Sequence, residues 1–135
     1  MNRSAGALPK NLNMTDSANV VLLLAGGRGC RMRGDRPKQF MEVAGAPVIV
    51  HTMRVFELHP EIHRIYVVCS PEWAGYVAEE ARRAGIGKFR CTFKAGETSF
   101  DSLRNGVEGL CAEAGSGNPA VVTHEACLLY TSDAA

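Results

Sequence analysis

Four stretches of the chain show the apolar patterns that are typical of β-strands. Residues 19–24 (Asn-Val-Val-Leu-Leu-Leu) and 64–69 (Arg-Ile-Tyr-Val-Val-Cys) are continuous runs, as expected for strands that are buried on both faces. Residues 89–93 place Phe, Cys and Phe on one face by alternation, and residues 120–123 form a shorter apolar run. The pattern therefore predicts four strands.

Three segments between the predicted strands repeat apolar residues at the helical interval. The first is residues 47–58, with a proline in its first turn. The second begins after Ser70, a hydroxyl N-cap followed by proline and glutamate, and ends at Gly85. The third begins at Thr98. Its predicted apolar face consists of Phe100, Leu103, Val107 and Leu110.

The alternation of strands and helices over residues 19–123 predicts βαβ units. We therefore expect an α/β fold with a mostly parallel, Rossmann-like sheet that is flanked by helices. Ligands of such sheets bind where loops leave the carboxyl ends of the strands. Three loops meet this condition, namely residues 25–38, residues 94–98 and the residues from 124 onward. The candidate chemistry should lie there.

Length and composition indicate one globular domain of 135 residues, of which 46% are apolar. A net charge of +1 gives no reason to expect nucleic-acid binding, and the longest apolar run, residues 20–27, is too short to span a membrane. The five cysteines form no CxxC pair, so we expect reduced thiols in a cytoplasmic protein. Residues 1–17 are interpreted as a polar, disordered leader, and residues 18–126 as the domain.

The glycine-rich loop after the first strand carries the clearest chemical signal. It reads Ala25-Gly26-Gly27-Arg28-Gly29-Cys30-Arg31-Met32 and is followed by Pro37-Lys38-Gln39. Glycines let the backbone turn sharply and bring its N–H groups close to a phosphate. Arg31 and Lys38 add positive charge, which suits a triphosphate. The alternative is a solvated turn with two surface cations, which the position after a buried strand disfavours.

Two other nucleotide-binding loops fit the sequence poorly. The P-loop requires Gly-Lys-Ser/Thr, which does not occur in the chain. The dinucleotide fingerprint requires a third glycine where Met32 stands, and an acid at the end of the second strand. That strand is predicted to end near Cys69, with Glu72 beyond it. An NAD-binding domain is therefore disfavoured.

The loop LAGGRGCRM, followed by RPKQF, resembles the signature of the cytidylyltransferases that activate alcohol phosphates. One branch of that family makes CDP-methylerythritol for isoprenoid synthesis, and its sister makes CDP-ribitol for teichoic acid. The resemblance covers about residues 19–126 and implies a sheet of the nucleotide-diphospho-sugar transferase type. Its further segments are residues 47–52, 59–62, 95–98, 101–106 and 122–126.

The resemblance implies that an alcohol phosphate attacks the α-phosphorus of CTP and that pyrophosphate leaves. Arg31 and Lys38 match the two basic residues that stabilise the pentacoordinate phosphorus, so loss of either should lower kcat more than binding. Glu125 stands where the family has an aspartate that helps to bind Mg²⁺. The matching nucleotide-binding positions are Ala25, Gly26, Gly27, Gly29, Gly96, Glu97, Ser102 and Ala126.

Simpler interpretations stand beside some of these roles. From the residues alone, Ser102 is a plain helix residue, and His124 is a strand-end residue held by backbone hydrogen bonds. Trp73 is interpreted as packing in the core or at its rim, and Cys30 as a small loop residue.

The substrate within the family is expected to be 2-C-methyl-D-erythritol 4-phosphate, with ribitol 5-phosphate as the alternative. Residues 59–62 favour the first, whereas residues 70–73 and 122–124 are similar to the ribitol branch. Ser99 stands where many members carry arginine. More distant alternatives are a non-catalytic nucleotide-binding module and an NAD-binding domain.

Residues 127–135 depart from the family's pattern, and the resemblance implies longer, homodimeric relatives. We therefore expect a truncated nucleotide-binding half that is inactive alone and associates through uncovered sheet edges. Its expected partners are CTP and a sugar-alcohol phosphate, with no nucleic acid and no membrane.

Overall fold

The fold is given by a computed structural model that describes residues 18–26, 36–115 and 117–126. The predicted leader, most of the glycine-rich loop and residues 127–135 lie outside this part of the chain. The elements in chain order are β1 (Asn19–Leu24), a 3-10 turn (Lys38–Phe40), β2 (Glu42–Val43), β3 (Ala46–Pro47), α1 (Val48–Glu57), β4 (Arg64–Cys69), α2 (Pro71–Arg83), β5 (Phe89–Lys94), α3 (Ser99–Ala114) and β6 (Ala120–Glu125).

The main sheet has the strand order β5-β4-β1-β6, and all its neighbouring strands are parallel. Val21 of β1 lies opposite Ile65 of β4 on one side and Val122 of β6 on the other. This arrangement confirms the predicted α/β fold. It also places the carboxyl ends of all four strands at one edge of the sheet, where ligands of parallel sheets bind.

Helices cover both faces of this sheet, which explains the continuous apolar runs of β1 and β4. Val21 and Leu23 point to one face and pack in a core with residues of α1 and α2. Val20 and Leu22 point to the other face and pack with Leu110 of α3. A strand enclosed in this way has no solvent-facing positions, and its sequence therefore does not alternate.

The predicted apolar face of α3 is confirmed at Leu110 and Leu103, which pack in the core, and is wrong at Phe100 and Val107. Phe100 and Val107 are 69% and 41% exposed, whereas Ser102, Gly106 and Leu110 are the buried residues of this helix. The reason is the close approach of α3 to the sheet. A Cβ atom on Gly106 would lie 2.7 Å from Leu22 Cδ2 and 2.9 Å from Val68 Cγ2. Two small residues, Ser102 and Gly106, therefore share the buried face with Leu110.

This close approach gives a stability prediction with a matched control. Gly75 in α2 has no atom within 4 Å of a would-be Cβ, so Gly75→Ala should raise the free energy of unfolding by about 1 kcal/mol through helix propensity alone. Gly106→Ala gains the same propensity but overpacks the core, which should leave it about 1–2 kcal/mol less stable than the unsubstituted chain. Urea unfolding measures both, and equal stability of the two variants would contradict the packing of α3.

Some of the predicted capping residues of the helices are confirmed. The Thr98 side chain accepts a hydrogen bond from Asp101 N at 3.0 Å, and Gly85 follows α2 with a φ of 75°. Ser70 is the N-cap of α2, but its hydroxyl makes no capping hydrogen bond. Pro47 is the N-cap of α1 rather than a residue of its first turn.

A small hairpin between β1 and α1 was not predicted. β2 and β3 pair in antiparallel fashion across Ala44 and Gly45, whose φ angles are 52° and 88°. Two positive φ angles in a two-residue loop are typical of a type I′ turn. Strands of two residues are too short to give a period, which is why the sequence pattern did not indicate them.

Among the residues that the structure describes, β6 is an edge strand of the sheet. It runs to Glu125, two residues beyond the predicted end, and Val121 and Val122 are 39% and 45% exposed. Uncovered strand edges favour association, so the expected self-association of the chain stays a prediction.

Three of the cysteines lie in the described part of the chain. Cys69, Cys91 and Cys111 are free, and burial raises the pKa of the Cys69 thiol to about 11. This thiol is therefore protonated and unreactive at neutral pH. None of the described helices combines the length and the apolar character that a membrane-spanning helix needs.

Candidate functional site

A cavity of about 1090 Å³ opens at the carboxyl edge of the sheet. Its wall begins with Ala25 and Gly26 after β1, continues with residues that follow β4, and is completed by the loop after β5 and the first turns of α3. Two of the three loops proposed from sequence, residues 25–38 and 94–98, therefore contribute to one site.

The loops after β1 and β5 are in direct contact at the bottom of this cavity. A Cβ atom on Gly26 would lie 2.6 Å from Ala95 Cβ and 3.2 Å from Ser102 Oγ. Ala25 N donates to Val68 O at 2.7 Å, and Ala95 N donates to Cys69 O at 3.0 Å. The backbone is thus fixed to the strand ends, and glycine at position 26 permits the close approach of the two loops.

Ser102 holds the loop after β5 from below. Its hydroxyl accepts a hydrogen bond from Gly96 N at 2.9 Å, and the residue is 5% exposed. A Cβ atom on Gly96 would lie 2.4 Å from Asp101 Cβ, so this loop lies tightly against the start of α3. Ser102 is therefore not a plain helix residue. Gly96 and Glu97 lie on the cavity wall, whereas Ser102 positions them.

Lys38 lies in the 3-10 turn and is half-buried. Its neighbours Pro37 and Gln39 line the cavity, and Lys38 itself does not. Gln39 Nε2 donates to Ala25 O at 2.8 Å in a buried hydrogen bond, which fixes the turn to the end of β1. The other predicted residues of this region, Gly27, Gly29 and Arg31, lie outside the described residues.

The predicted residues at the end of β6 lie at the same edge of the sheet but not on the cavity wall. Glu125 is exposed and pairs with Leu24 at the end of β1. Ala126 is buried, its N–H donates to Leu24 O at 3.0 Å, and its carbonyl accepts from Thr52 Oγ1 at 2.7 Å. His124 contacts Phe56 edge to ring, with centroids 5.2 Å apart, and its Nδ1 lies 2.7 Å from Glu125 O. The interpretation of His124 as a strand-end residue agrees with these contacts.

The described residues do not provide a metal site by themselves. Within residues 18–26, 36–115 and 117–126, no group of three or more His, Cys, Asp or Glu side chains is arranged to hold an ion. Glu125 offers one hard carboxylate oxygen ligand at the carboxyl edge of the sheet.

An aromatic cluster on the cavity wall was only partly indicated by the sequence. Phe40 and Trp73 stack with ring centroids 4.5 Å apart, and both line the cavity. Trp73 is half-buried, which agrees with packing at a rim. Arg36 lies 5.8 Å from the Trp73 ring and 5.3 Å from the Tyr76 ring. The sequence pattern indicated no role for Arg36, although this residue directly precedes the Pro-Lys-Gln motif.

Charge is unevenly distributed around the cavity. The described wall carries four acidic residues, Glu72, Glu97, Asp101 and Glu108, and two basic residues, Lys94 and Arg104. Arg104 is paired with Asp101 at 3.4 Å. The segment 26–38 contains five basic residues and the single acid Asp35. The acidic residues at the start of α3 disfavour an anionic ligand group there, whereas the composition of residues 26–38 favours one.

Comparison with known proteins gives one consistent family. The model of the IspD family, described as 2-C-methyl-D-erythritol 4-phosphate cytidylyltransferase, matches residues 19–133. This range includes the described domain and extends into residues 127–135, for which the sequence indicated no match.

Two similar curated proteins carry different substrate names. A 2-C-methyl-D-erythritol 4-phosphate cytidylyltransferase of Rubrobacter xylanophilus is 42% identical over 97 residues, which are 72% of this chain and 39% of that protein. A ribitol-5-phosphate cytidylyltransferase of Vibrio parahaemolyticus is 39% identical over 90 residues, 66% of this chain and 38% of that protein. The chain thus spans about two fifths of the length of these relatives.

A similar solved structure supports the fold. The crystal structure of a 4-diphosphocytidyl-2C-methyl-D-erythritol synthase superposes with a TM-score of 0.62 at 28% identity, covering 88% of this chain and 52% of that one.

Proposed function

We propose, because this chain belongs to the 2-C-methyl-D-erythritol 4-phosphate cytidylyltransferase family, that it supplies the nucleotide site for transfer of CMP from CTP to an alcohol phosphate. The observation that carries the proposal is the contact between Gly26 and Ala95, which joins two glycine-containing loops around a cavity at the carboxyl edge of a parallel sheet. Backbone N–H groups at such an edge suit a phosphate chain.

The proposed reaction is an in-line displacement. An oxygen of the substrate phosphate attacks the α-phosphorus of CTP, the bond from that phosphorus to the bridging oxygen breaks, and pyrophosphate leaves. Lys38 and Arg31 are proposed to stabilise the negative charge that develops on the pentacoordinate phosphorus. Because little covalent chemistry is required of the protein, the site acts through positioning and charge.

The charge distribution supports one orientation of the nucleotide. The triphosphate is proposed to bind toward residues 26–38, a segment whose sequence contains five basic residues, with Ala25, Gly26, Gly27 and Gly29 as its proposed binding positions. The nucleoside is proposed to lie against Gly96 and Glu97, which Ser102 supports from below. Ala126 is proposed to contribute through its backbone, which Thr52 and Leu24 hold in place.

Magnesium enters this proposal as the ion that accompanies CTP. Glu125 is proposed as a ligand from the protein, because it matches an acidic position of the family and is exposed at the carboxyl edge. When bound, such an ion neutralises triphosphate charge and orients the leaving group.

The alcohol phosphate is proposed to be 2-C-methyl-D-erythritol 4-phosphate. The family model carries that name, and so does a relative of 42% identity. Ribitol 5-phosphate is the second candidate, because the Vibrio relative of 39% identity is named for it.

We further propose a cytoplasmic location and homodimers for the protein to which this domain belongs.

A segment exchange tests this function without assuming that the isolated chain turns over. Residues 19–126 replace the corresponding part of the Rubrobacter xylanophilus relative, and pyrophosphate release is measured with CTP and each alcohol phosphate. We expect CTP-dependent release that is faster with methylerythritol phosphate. Faster release with ribitol phosphate would reverse the substrate assignment, and no release from a folded exchange protein would contradict the proposed function.

A further inference from the structure

The segment that carries Lys38 is joined to α2 by a basic and aromatic cluster formed by Arg36, Phe40, Trp73 and Tyr76, called here the Arg36 clamp. Phe40 stacks on Trp73, with centroids 4.5 Å apart, and meets Tyr76 edge to ring at 5.7 Å. The Arg36 guanidinium lies over both Trp73 and Tyr76. A planar guanidinium can stack on aromatic faces in a way that an ammonium cannot.

The clamp also binds the backbone of this segment. Arg36 Nη1 donates to Phe40 O at 3.2 Å and to Tyr76 Oη at 3.2 Å. The first of these bonds joins the residue two positions before Lys38 to the residue two positions after it. The guanidinium therefore closes the short segment around Lys38 into a ring.

A second anchor lies between Lys38 and Phe40. Gln39 Nε2 donates to Ala25 O in a buried hydrogen bond of 2.8 Å, which ties the turn to the end of β1. Lys38 is thus held between an anchor on β1 and an anchor on α2. Because α2 begins directly after β4, the two anchors join the ends of adjacent strands across the cavity.

We propose that Arg36 is a positioning residue for Lys38 and, through Trp73 and Tyr76, fixes the Lys38 backbone at the triphosphate end of the site. This inference rests on the proposed function, because it assigns Lys38 to the triphosphate. It adds that the planar shape of the Arg36 guanidinium, and not only its charge, is required to hold Lys38 in position.

A double-mutant cycle on CTP affinity tests this coupling, with titration calorimetry of the 135-residue chain and CTP with MgCl₂ as the probe. Lys38→Met should weaken CTP binding about tenfold, and Arg36→Gln about fivefold. In the Lys38→Met background, Arg36→Gln should change the affinity by less than about twofold, because the residue it positions is gone. Arg90→Gln is the charge-matched control, since Arg90 is exposed near the amino end of β5, opposite the cavity.

A conservative variant separates positioning from simple attraction. Arg36→Lys keeps the positive charge but loses the planar guanidinium. Its affinity for CTP should therefore be lowered about as much as that of Arg36→Gln. The fluorescence of Trp73, the one tryptophan of the chain, should change in both Arg36 variants without ligand and stay unchanged in Arg90→Gln. Thermal unfolding confirms that each variant is folded.

The outcomes distinguish the inference from the function on which it rests. The positioning role would be overturned if Arg36→Gln weakened CTP binding as much in the Lys38→Met background as in the unsubstituted chain. Full recovery of CTP affinity in Arg36→Lys would also overturn it. Either result would leave the CTP site intact. If the unsubstituted chain does not bind CTP, the proposed function fails and this inference fails with it.

Discussion

Replacing Lys38 with alanine is expected to lower the rate of CMP transfer by about 10²–10³-fold, with a much smaller loss of CTP affinity of about tenfold. The positive charge of Lys38 is assigned to the phosphorus that gains negative charge in the transition state. Its contribution is therefore greater there than in the bound ground state. The half-buried turn that carries Lys38 is fixed to β1 through Gln39, so the backbone should stay in place when the side chain is shortened.

The measurement is pyrophosphate release by the exchange protein that carries residues 19–126, with kcat and KM determined separately. Arg90→Ala removes one positive charge at the opposite end of the sheet and should leave both constants within about twofold, as surface charges away from the site contribute little. A Lys38→Ala protein whose kcat matches that of Arg90→Ala would exclude Lys38 from the chemistry.

Replacing Gly96 with valine should abolish detectable CTP binding, a loss of at least about 100-fold or 2.7 kcal/mol. A Cβ atom at this position would lie 2.4 Å from Asp101 Cβ and 3.0 Å from Asp101 C. Because one of these atoms is backbone, the loop after β5 must move away from α3. Such a movement breaks the hydrogen bond from Gly96 N to Ser102 Oγ and displaces Glu97 from the cavity wall.

Gly75→Val is the matched control, since Gly75 has open space around a would-be Cβ and lies outside the cavity wall. It should cost some helix stability but leave the CTP affinity unchanged. Calorimetric titration with CTP reports the affinity, and circular dichroism reports folding. Unchanged CTP affinity in folded Gly96→Val would contradict the placement of the nucleoside against residues 96–97.

The central strands β1 and β4 could be predicted from the sequence because both of their faces are buried. Residues 19–24 and 64–69 have no solvent-facing side, so their composition alone indicated β1 and β4 with the observed bounds. The buried face of α3 could not be predicted in the same way. The apolar pattern included Leu110 but not Ser102 and Gly106, which complete this face. Their burial follows from how closely the helix approaches the sheet, and no period of apolar residues reports that distance.

The candidate site, too, could be predicted from the sequence only in part. The loops at the carboxyl ends of β1 and β5 follow from the βαβ order, and Gly26, Gly96 and Glu97 do lie on one cavity wall. The hydrogen bond from Gly96 N to Ser102 Oγ depends on how the side chain is oriented, and the position of Arg36 over the Trp73 ring joins elements that are far apart in sequence. Local sequence carries no information about such pairs until the fold brings them together.

The most direct test of the central claim is a titration of the 135-residue chain with CTP in the presence of MgCl₂, compared with UTP and ATP under the same conditions. The account predicts saturable CTP binding that is at least about tenfold tighter than binding of UTP or ATP, a difference of 1.4 kcal/mol. Binding that is equal for all three nucleotides, or no binding of CTP, would contradict the assignment of this cavity as a CTP site.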